Sequence, residues 1–357
     1  QESQHLGMAQ LLACPDIDFF CSPAMYSLRE PGGTSTFMSF TQSVQSHGKL
    51  WWDEADNRTH LAVDNPVAPA ADLFESLNVL EREFAHAYTQ RAGIWWFDMQ
   101  GGWYADKTIR SLLRQMREYG ERVESGTPWT PPREIAFFID DKSTYRLAPE
   151  SAYLNAGLPQ FLSAMPRLGV PYDTLLLSDI LEVPEYKVYV FLMAFDLADE
   201  ERAAIQSLMR DGHTLVFLGK TGIGRYNYGR ITHDEAQFEA LLGAKPSGTR
   251  WYRAEYDDYT IVYSPFPNPT TSELRDIARD SGVHIYSETD DACYIGNGMV
   301  ALHAQTTGEK VLSFPIEVTA QEIFVEDGET VAGQEMRLTF QAKETRMFHI
   351  ANVKSTD

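Results

Sequence analysis

Short apolar runs alternate with longer stretches in which an apolar residue recurs every three or four positions through residues 1–126. The short runs read as strands and the periodic stretches as helices. Gly7 to Leu12 predicts a helix, stopped at Pro15 and Asp16, and Ile17 to Pro23 predicts a short buried strand that the proline ends. A loop carrying Tyr26, Arg29, Gly32 and Gly33 leads to a second strand at Leu50-Trp51-Trp52. Leu73, Leu77, Leu80 and Phe84 lie at helical spacing and predict an amphipathic helix over 70–87. A third strand, 92–99, runs into a glycine turn at 100–106, and a further helix follows from Lys107 to about 124. Strands alternating with helices in this order predict parallel β/α units.

The run Thr127-Pro128-Trp129-Thr130-Pro131-Pro132 interrupts the pattern, because its prolines forbid helix and favour an extended connector. The alternation then restarts. Strands are expected at 134–140, 172–176, 186–192 and 214–218, with helices at 152–168, 199–210 and 272–281 and further strands around Val283 and Met299. This describes an open, doubly wound α/β unit. Beyond it the pattern changes to short strands at 310–314, 322–325, 336–340 and 345–350, with a turn at Asp327-Gly328-Glu329, which predicts a small antiparallel β unit. The expected division is 1–126, a linker at 127–133, an α/β domain at 134–305 and a β domain at 306–357.

Composition narrows the function classes. Fifty-one acids against 30 bases give a formal charge of −21, which argues against nucleic acid and anionic membranes as partners and suits neutral or cationic ligands. No apolar run is long enough to span a bilayer and the polar start is not a signal peptide, so a cytoplasmic protein is expected. The three cysteines, Cys14, Cys21 and Cys293, make no disulfide framework or metal spacing, and Cys14 and Cys21 are expected to be buried thiols. The histidines show no ligand spacing, so neither a metal nor a cofactor is expected. There is no Gly-x-Ser-x-Gly elbow, and Gly219 to Arg225 lacks the spacing of a phosphate loop.

Chemistry concentrates at Gly48 to Leu61. Here an apolar segment runs into Asp53, Glu54 and Asp56, with Arg58 and His60 just beyond. A buried strand whose last residues turn into acids and bases can deliver catalytic groups to a strand-end site; the alternative is an edge strand and a solvated turn. Glu54 is the leading catalytic candidate, and alternation along the strand sends Asp53 to the opposite face. Asp56 and Arg58 suit either ligand binding or a structural ion pair beneath the site. Trp51, Trp52, Trp96 and Trp103 are candidate aromatic walls for a sugar ring, with Trp95 assigned to the core, and Asp98 is a candidate second carboxyl. Tyr26 and Arg29 complete the candidate binding set.

The ordered set Asp16-Ile17-Asp18-Phe19, Ser22-Pro23, Tyr26 and Arg29, then Gly48-Lys49-Leu50-Trp51, Glu54-Ala55-Asp56 and Arg58-Thr59-His60, then Trp95 to Met99 and Gly101 to Tyr104, resembles the C-terminal part of a glycoside hydrolase barrel. The closest likeness is to proteins related to the family 42 β-galactosidases. That resemblance implies part of a TIM barrel, about strands six to eight, then a flavodoxin-like trimerisation domain and a small β domain. It implies a retaining hydrolase of β-linked sugars, β-galactosidase-like or β-glucosidase-like, with Glu54 matching the nucleophile at the end of strand seven. The strand that carries the acid/base in that clan has no counterpart here, nor has the zinc-binding cysteine cluster of some members. A second carboxyl would then come from Asp98, Asp18, Glu30 or a neighbouring subunit. The alternative is a non-catalytic carbohydrate-binding or assembly subunit. A barrel remnant leaves parallel edges open, so a homo-oligomer, in the family's manner a trimer, is expected.

Overall fold

The computed structural model describes residues 7–62, 69–123, 128–145, 147, 151, 157–192, 194–219, 224–227, 230–233, 235–243, 245 and 250–353. It contains a three-stranded parallel sheet, a six-stranded mixed sheet, a five-stranded antiparallel sheet and a two-stranded hairpin.

The first region runs α1 (Met8–Leu12), β1 (Phe19–Ser22), α2 (Thr41–Ser46), β2 (Leu50–Ala55), α3 (Leu73–Thr89), β3 (Gly93–Trp96) and α4 (Lys107–Val123). Its strands form one parallel sheet in the order β1-β2-β3. Gly48, at φ 72°, makes the left-handed turn that launches β2. Asp72 begins α3 by accepting the Glu75 N–H at 2.9 Å, while Glu75 reaches back to the Ala71 N–H at 2.8 Å. Asp106 opens α4 in the same way, accepting from the Thr108 N–H at 2.6 Å. The two faces of the sheet differ. Trp51, Asp53 and Ala55 point inward and are buried, whereas Phe19 is 50% exposed, Leu50 41% and Trp95 37% on the open face. Trp51 packs with Met8, Leu12, Phe37 and Val44.

The second region holds β4 (Ile135–Ile139), α5 (Asp141–Thr144), α6 (Leu158–Ala164), β5 (Tyr172–Leu176), β6 (Val188–Leu192), α7 (Asp199–Ser207), β7 (His213–Leu218), a hairpin of β8 (Gly224–Asn227) and β9 (Arg230–His233), α8 (Glu235–Leu242), β10 (Tyr252–Glu255), β11 (Tyr259–Ser264) and α9 (Thr271–Asp280). The sheet order β5-β4-β6-β7-β11-β10 is that of a doubly wound domain with an antiparallel strand added at one edge. Its central strands are buried along their whole length, with one core on each side, as parallel strands covered by helices require.

The third region is the antiparallel sheet β12-β13-β16-β14-β15. Sequence reading placed the strand near Met299 with the α/β unit; instead β12 (Ala292–Gly296) and β13 (Met299–His303) join β16 (Thr345–Val353) in this sheet. No described strand lies at Val283. The strand expected at 310–314 is part of one long β14 (Gly308–Glu322), bent by a bulge between Ser313 and Val318 where it pairs with β15 (Thr330–Phe340); of the strand expected at 322–325 only Glu322 belongs to it, and 323–325 lie beyond its end. Part of the helix expected from 152 and residues 220–223 of the glycine-rich loop lie outside the described residues.

Helix α3 joins the first and third regions. Asn78 accepts the Thr345 N–H and Lys343 pairs with Glu75. At Gly296 a Cβ would stand 2.5 Å from the Thr89 carbonyl oxygen, so a side chain there would force the hairpin off the helix end. Arg133 donates to that same oxygen at 3.1 Å and pairs with Asp173 on β5, tying the second region to the same point.

Candidate active site

The register of the first sheet decides which side chains meet. Glu54 lies opposite Trp95, and Trp52 opposite Cys21 and Gly93. Alternation therefore puts Cys21, Trp52, Glu54 and Trp95 on the open face and Asp53 and Trp96 on the helix-covered one. Glu54 stands at the C-terminal end of the central strand, half-buried. Among the described residues, no hydrogen bond or ion pair engages its carboxylate. Burial and the Asp56 charge push its pKa up, and Arg29 draws it back.

Asp56 is fully buried, in an ion knot below Glu54. Arg29 pairs with it, the Tyr26 hydroxyl donates to it at 3.2 Å, and Arg58 stands 3.9 Å away. The Arg29 guanidinium lies 3.9 Å from the Tyr26 ring centre, and Arg58 sits 5.5 Å from both Tyr26 and Trp103. Asp56, with no exposed surface, therefore positions the strand end and has no face for a ligand. Arg29 and Arg58 are nearly as buried, which leaves Tyr26, at 40% exposure, as the knot's surface. Arg82 in turn holds the Arg29 loop, donating to the carbonyls of Arg29 and Glu30 at 2.7 Å each. Such a buried cation with backbone partners gives no pattern in the sequence.

The aromatic assignments change places. Trp103 is 2% exposed and packs with Leu80, Phe84 and Ile109, so it is core. Trp96 packs half-buried against the same cluster. Trp95, assigned to the core from sequence, is the exposed ring beside Glu54, because pairing opposite Glu54 fixes its face. Trp52 shares that face and meets Phe19 edge-on at 5.5 Å. Cys21, expected to be buried, is exposed there too; its sulfur accepts the Trp95 indole N–H at 3.3 Å. Cys14 is half-buried. Asp98 closes its own glycine turn, accepting the Gly102 N–H at 2.7 Å and the Trp103 N–H at 3.2 Å. Both its oxygens are engaged, and a role as second carboxyl would cost that turn.

The two tryptophans are separable by experiment. Trp103→Ala should lower stability by about 3–5 kcal/mol, the usual cost of emptying a core aromatic site. Trp95→Ala should leave stability within roughly 1 kcal/mol, since the ring is largely in water already. Urea unfolding of the two variants measures both; equal losses would contradict this division.

No protein-family model matches the chain, and no curated protein sequence matches it. Solved structures do. A catalytic mutant of a family 42 β-galactosidase from G. stearothermophilus aligns with a TM-score of 0.62 at 11% identity, covering 97% of this chain and 61% of that one. The β-galactosidase from Rahnella sp. R3 gives 0.60 at 10% identity over 95% of this chain and 61% of its own. That from Bacillus circulans sp. alkalophilus gives 0.58 at 11% identity, with 94% and 64% covered. The chain thus has a partial family 42-like fold and spans about three fifths of the length of these enzymes. At such identity the likeness is one of fold.

Proposed function

We propose that the open face of β1–β3 is part of a retaining β-glycosidase site, with Glu54 as nucleophile and β-linked sugars, galactosides or glucosides, as substrates. One observation carries the reading: a half-exposed carboxylate ends the central parallel strand, held over the Tyr26–Arg29–Asp56–Arg58 knot and flanked by the exposed ring of Trp95. In the first step a Glu54 oxygen would bond to the anomeric carbon as the leaving oxygen departs with a proton from an acid. Water would then cleave the glycosyl ester, its proton passing to the conjugate base. Trp95 and Trp52 offer flat apolar faces to the sugar ring. The test is hydrolysis of aryl β-glycosides by wild type and Glu54→Gln.

A second reading has its own observation. Asp98 is committed to its turn, and Asp56, the carboxyl whose charge acts on Glu54, is fully buried in its ion knot. That favours a carbohydrate-binding or assembly subunit without chemistry, unless another chain or subunit supplies the acid. Binding of sugar by calorimetry with no turnover of any aryl glycoside would select this reading.

Assembly bears on both. The exposed apolar side chains of Phe19 and Leu50 and the outer edges of β1 and β3 favour association of copies, and the family resemblance implies a trimer. Light scattering at micromolar concentration should give a multiple of 40.4 kDa, and the monomer mass would refute the expectation.

A further inference from the structure

We propose that Asp53 and Glu83 share a single proton, forming a buried acid–carboxylate pair that pins the central strand to α3 directly behind Glu54. The inference stands apart from the glycosidase reading, since it concerns the face of β2 turned away from any ligand.

The argument begins with unpaired acceptors. Asp53 is 0% exposed and Glu83 1%, and their side chains lie within hydrogen-bonding reach of each other. Both oxygens of Asp53 and Oε1 of Glu83 have no donor, whereas Oε2 of Glu83 has two, the Ser35 hydroxyl and the Asn57 amide at 3.0 Å. Carboxylates only accept, so two ionised groups here would repel each other and leave these oxygens unsatisfied in a dry interior. One proton removes both problems: the protonated acid donates to its neighbour, and the pair carries one charge where it would have carried two.

The surroundings fit a single negative charge. Arg29 faces the pair, but its charge is already opposed by Asp56. The nearest titratable group on β1 is Cys21, which lies on the open face of the sheet. On α3, Arg82 gives its two terminal nitrogens to backbone carbonyls, and burial pushes His86 down to about 3, so it stays neutral and donates Nδ1–H to the Ser35 carbonyl at 2.9 Å. Ser35 itself is held at φ 47°, a left-handed conformation uncommon outside glycine, with its N–H and that of Thr34 both donating to the Leu28 carbonyl. The backbone is thus bent to bring the Ser35 hydroxyl to Glu83. No third Asp, Glu, His or Cys joins the pair to form a metal-ligand group among the described residues. Burial and the Glu83 charge both raise the Asp53 pKa well above the usual carboxylate range.

The sign of the linkage follows. A carboxyl whose pKa is raised on folding contributes stability that is complete below the ordinary value of about 4 and drains away as pH rises toward the folded value. Asp53→Asn replaces the acid with a permanent donor. Its melting temperature should match or exceed wild type at neutral pH, with the advantage growing as pH rises from 5 to 9, while Asp53→Ala falls well below both. Infrared spectra of wild type at neutral pH should show the carbonyl stretch of a protonated carboxylic acid, lost in Asp53→Asn. An Asn variant as unstable as the Ala variant at every pH, or a spectrum with no protonated acid, would overturn the proposal. So would a wild-type melting temperature that falls with EDTA and recovers with Mg²⁺ or Ca²⁺, which would place a cation between the carboxylates. If Asp53→Asn does not fold, Glu83→Gln and the wild-type spectrum carry the same test.

Discussion

Glu54→Gln is expected to reduce hydrolysis of aryl β-glycosides by at least about a thousandfold, the scale on which loss of a covalent nucleophile is felt. The substitution keeps size and shape, and the carboxylate it replaces makes no hydrogen bond or ion pair among the described residues. Stability should therefore stay near wild type, so a loss of rate would belong to chemistry. Turnover in Glu54→Gln equal to that of wild type would remove Glu54 from the nucleophile's role. An inactive wild type would favour the binding-subunit reading.

A loss of stability as large as that of emptying the Trp103 site is expected at Arg29. Arg29→Leu keeps much of the stem's apolar contact but leaves Asp56 ionised, fully buried and attended by Tyr26 and a more distant Arg58. Removing one partner of a buried pair costs about 3–5 kcal/mol, because the charge left behind has lost both water and its counter-ion. Denaturant titration measures it. The double variant Arg29→Leu with Asp56→Leu should recover part of the loss, since neither charge then remains. A single-variant loss under about 1 kcal/mol would show that Arg58 swings in to replace Arg29.

Residues with a strong local period were legible in the sequence. The heptad-like leucines of α3, the apolar runs of β4, β6 and β7 and the carboxylate cluster at the end of β2 all declare themselves, and alternation separates Asp53 from Glu54. What failed depended on register. Trp95 and Trp96 are indistinguishable as neighbours in a run; only pairing with β2 tells which one faces out. Likewise β13 was read as a strand of the α/β unit, and it is hydrogen bonding to β16, more than forty residues on, that assigns it to the other sheet; β12, its hairpin partner, was not read at all. The edge strand β10 was missed because a short strand with Arg253 and Glu255 at alternate positions carries little apolar periodicity, and the hairpin of β8 and β9 and the strand β11 also went unread. Asp53 and Glu83 lie thirty positions apart, and nothing in the linear pattern couples a strand acid to a helix acid.

The junction at α3 bears on how the chain comes apart. Its first two turns hold the β16 end of the third region through Glu75 and Asn78, its middle holds the Arg29 loop through Arg82, and its last carbonyl, that of Thr89, meets both Gly296 and Arg133. Melting any one region would strip this helix of partners that the others need. A single calorimetric transition is the natural outcome, and a protease that cuts at the proline-rich connector should yield pieces that stay together under native conditions. Excising the strand-end face as a minimal module would thus need a substitute for the surface that the C-terminal sheet now presents to α3.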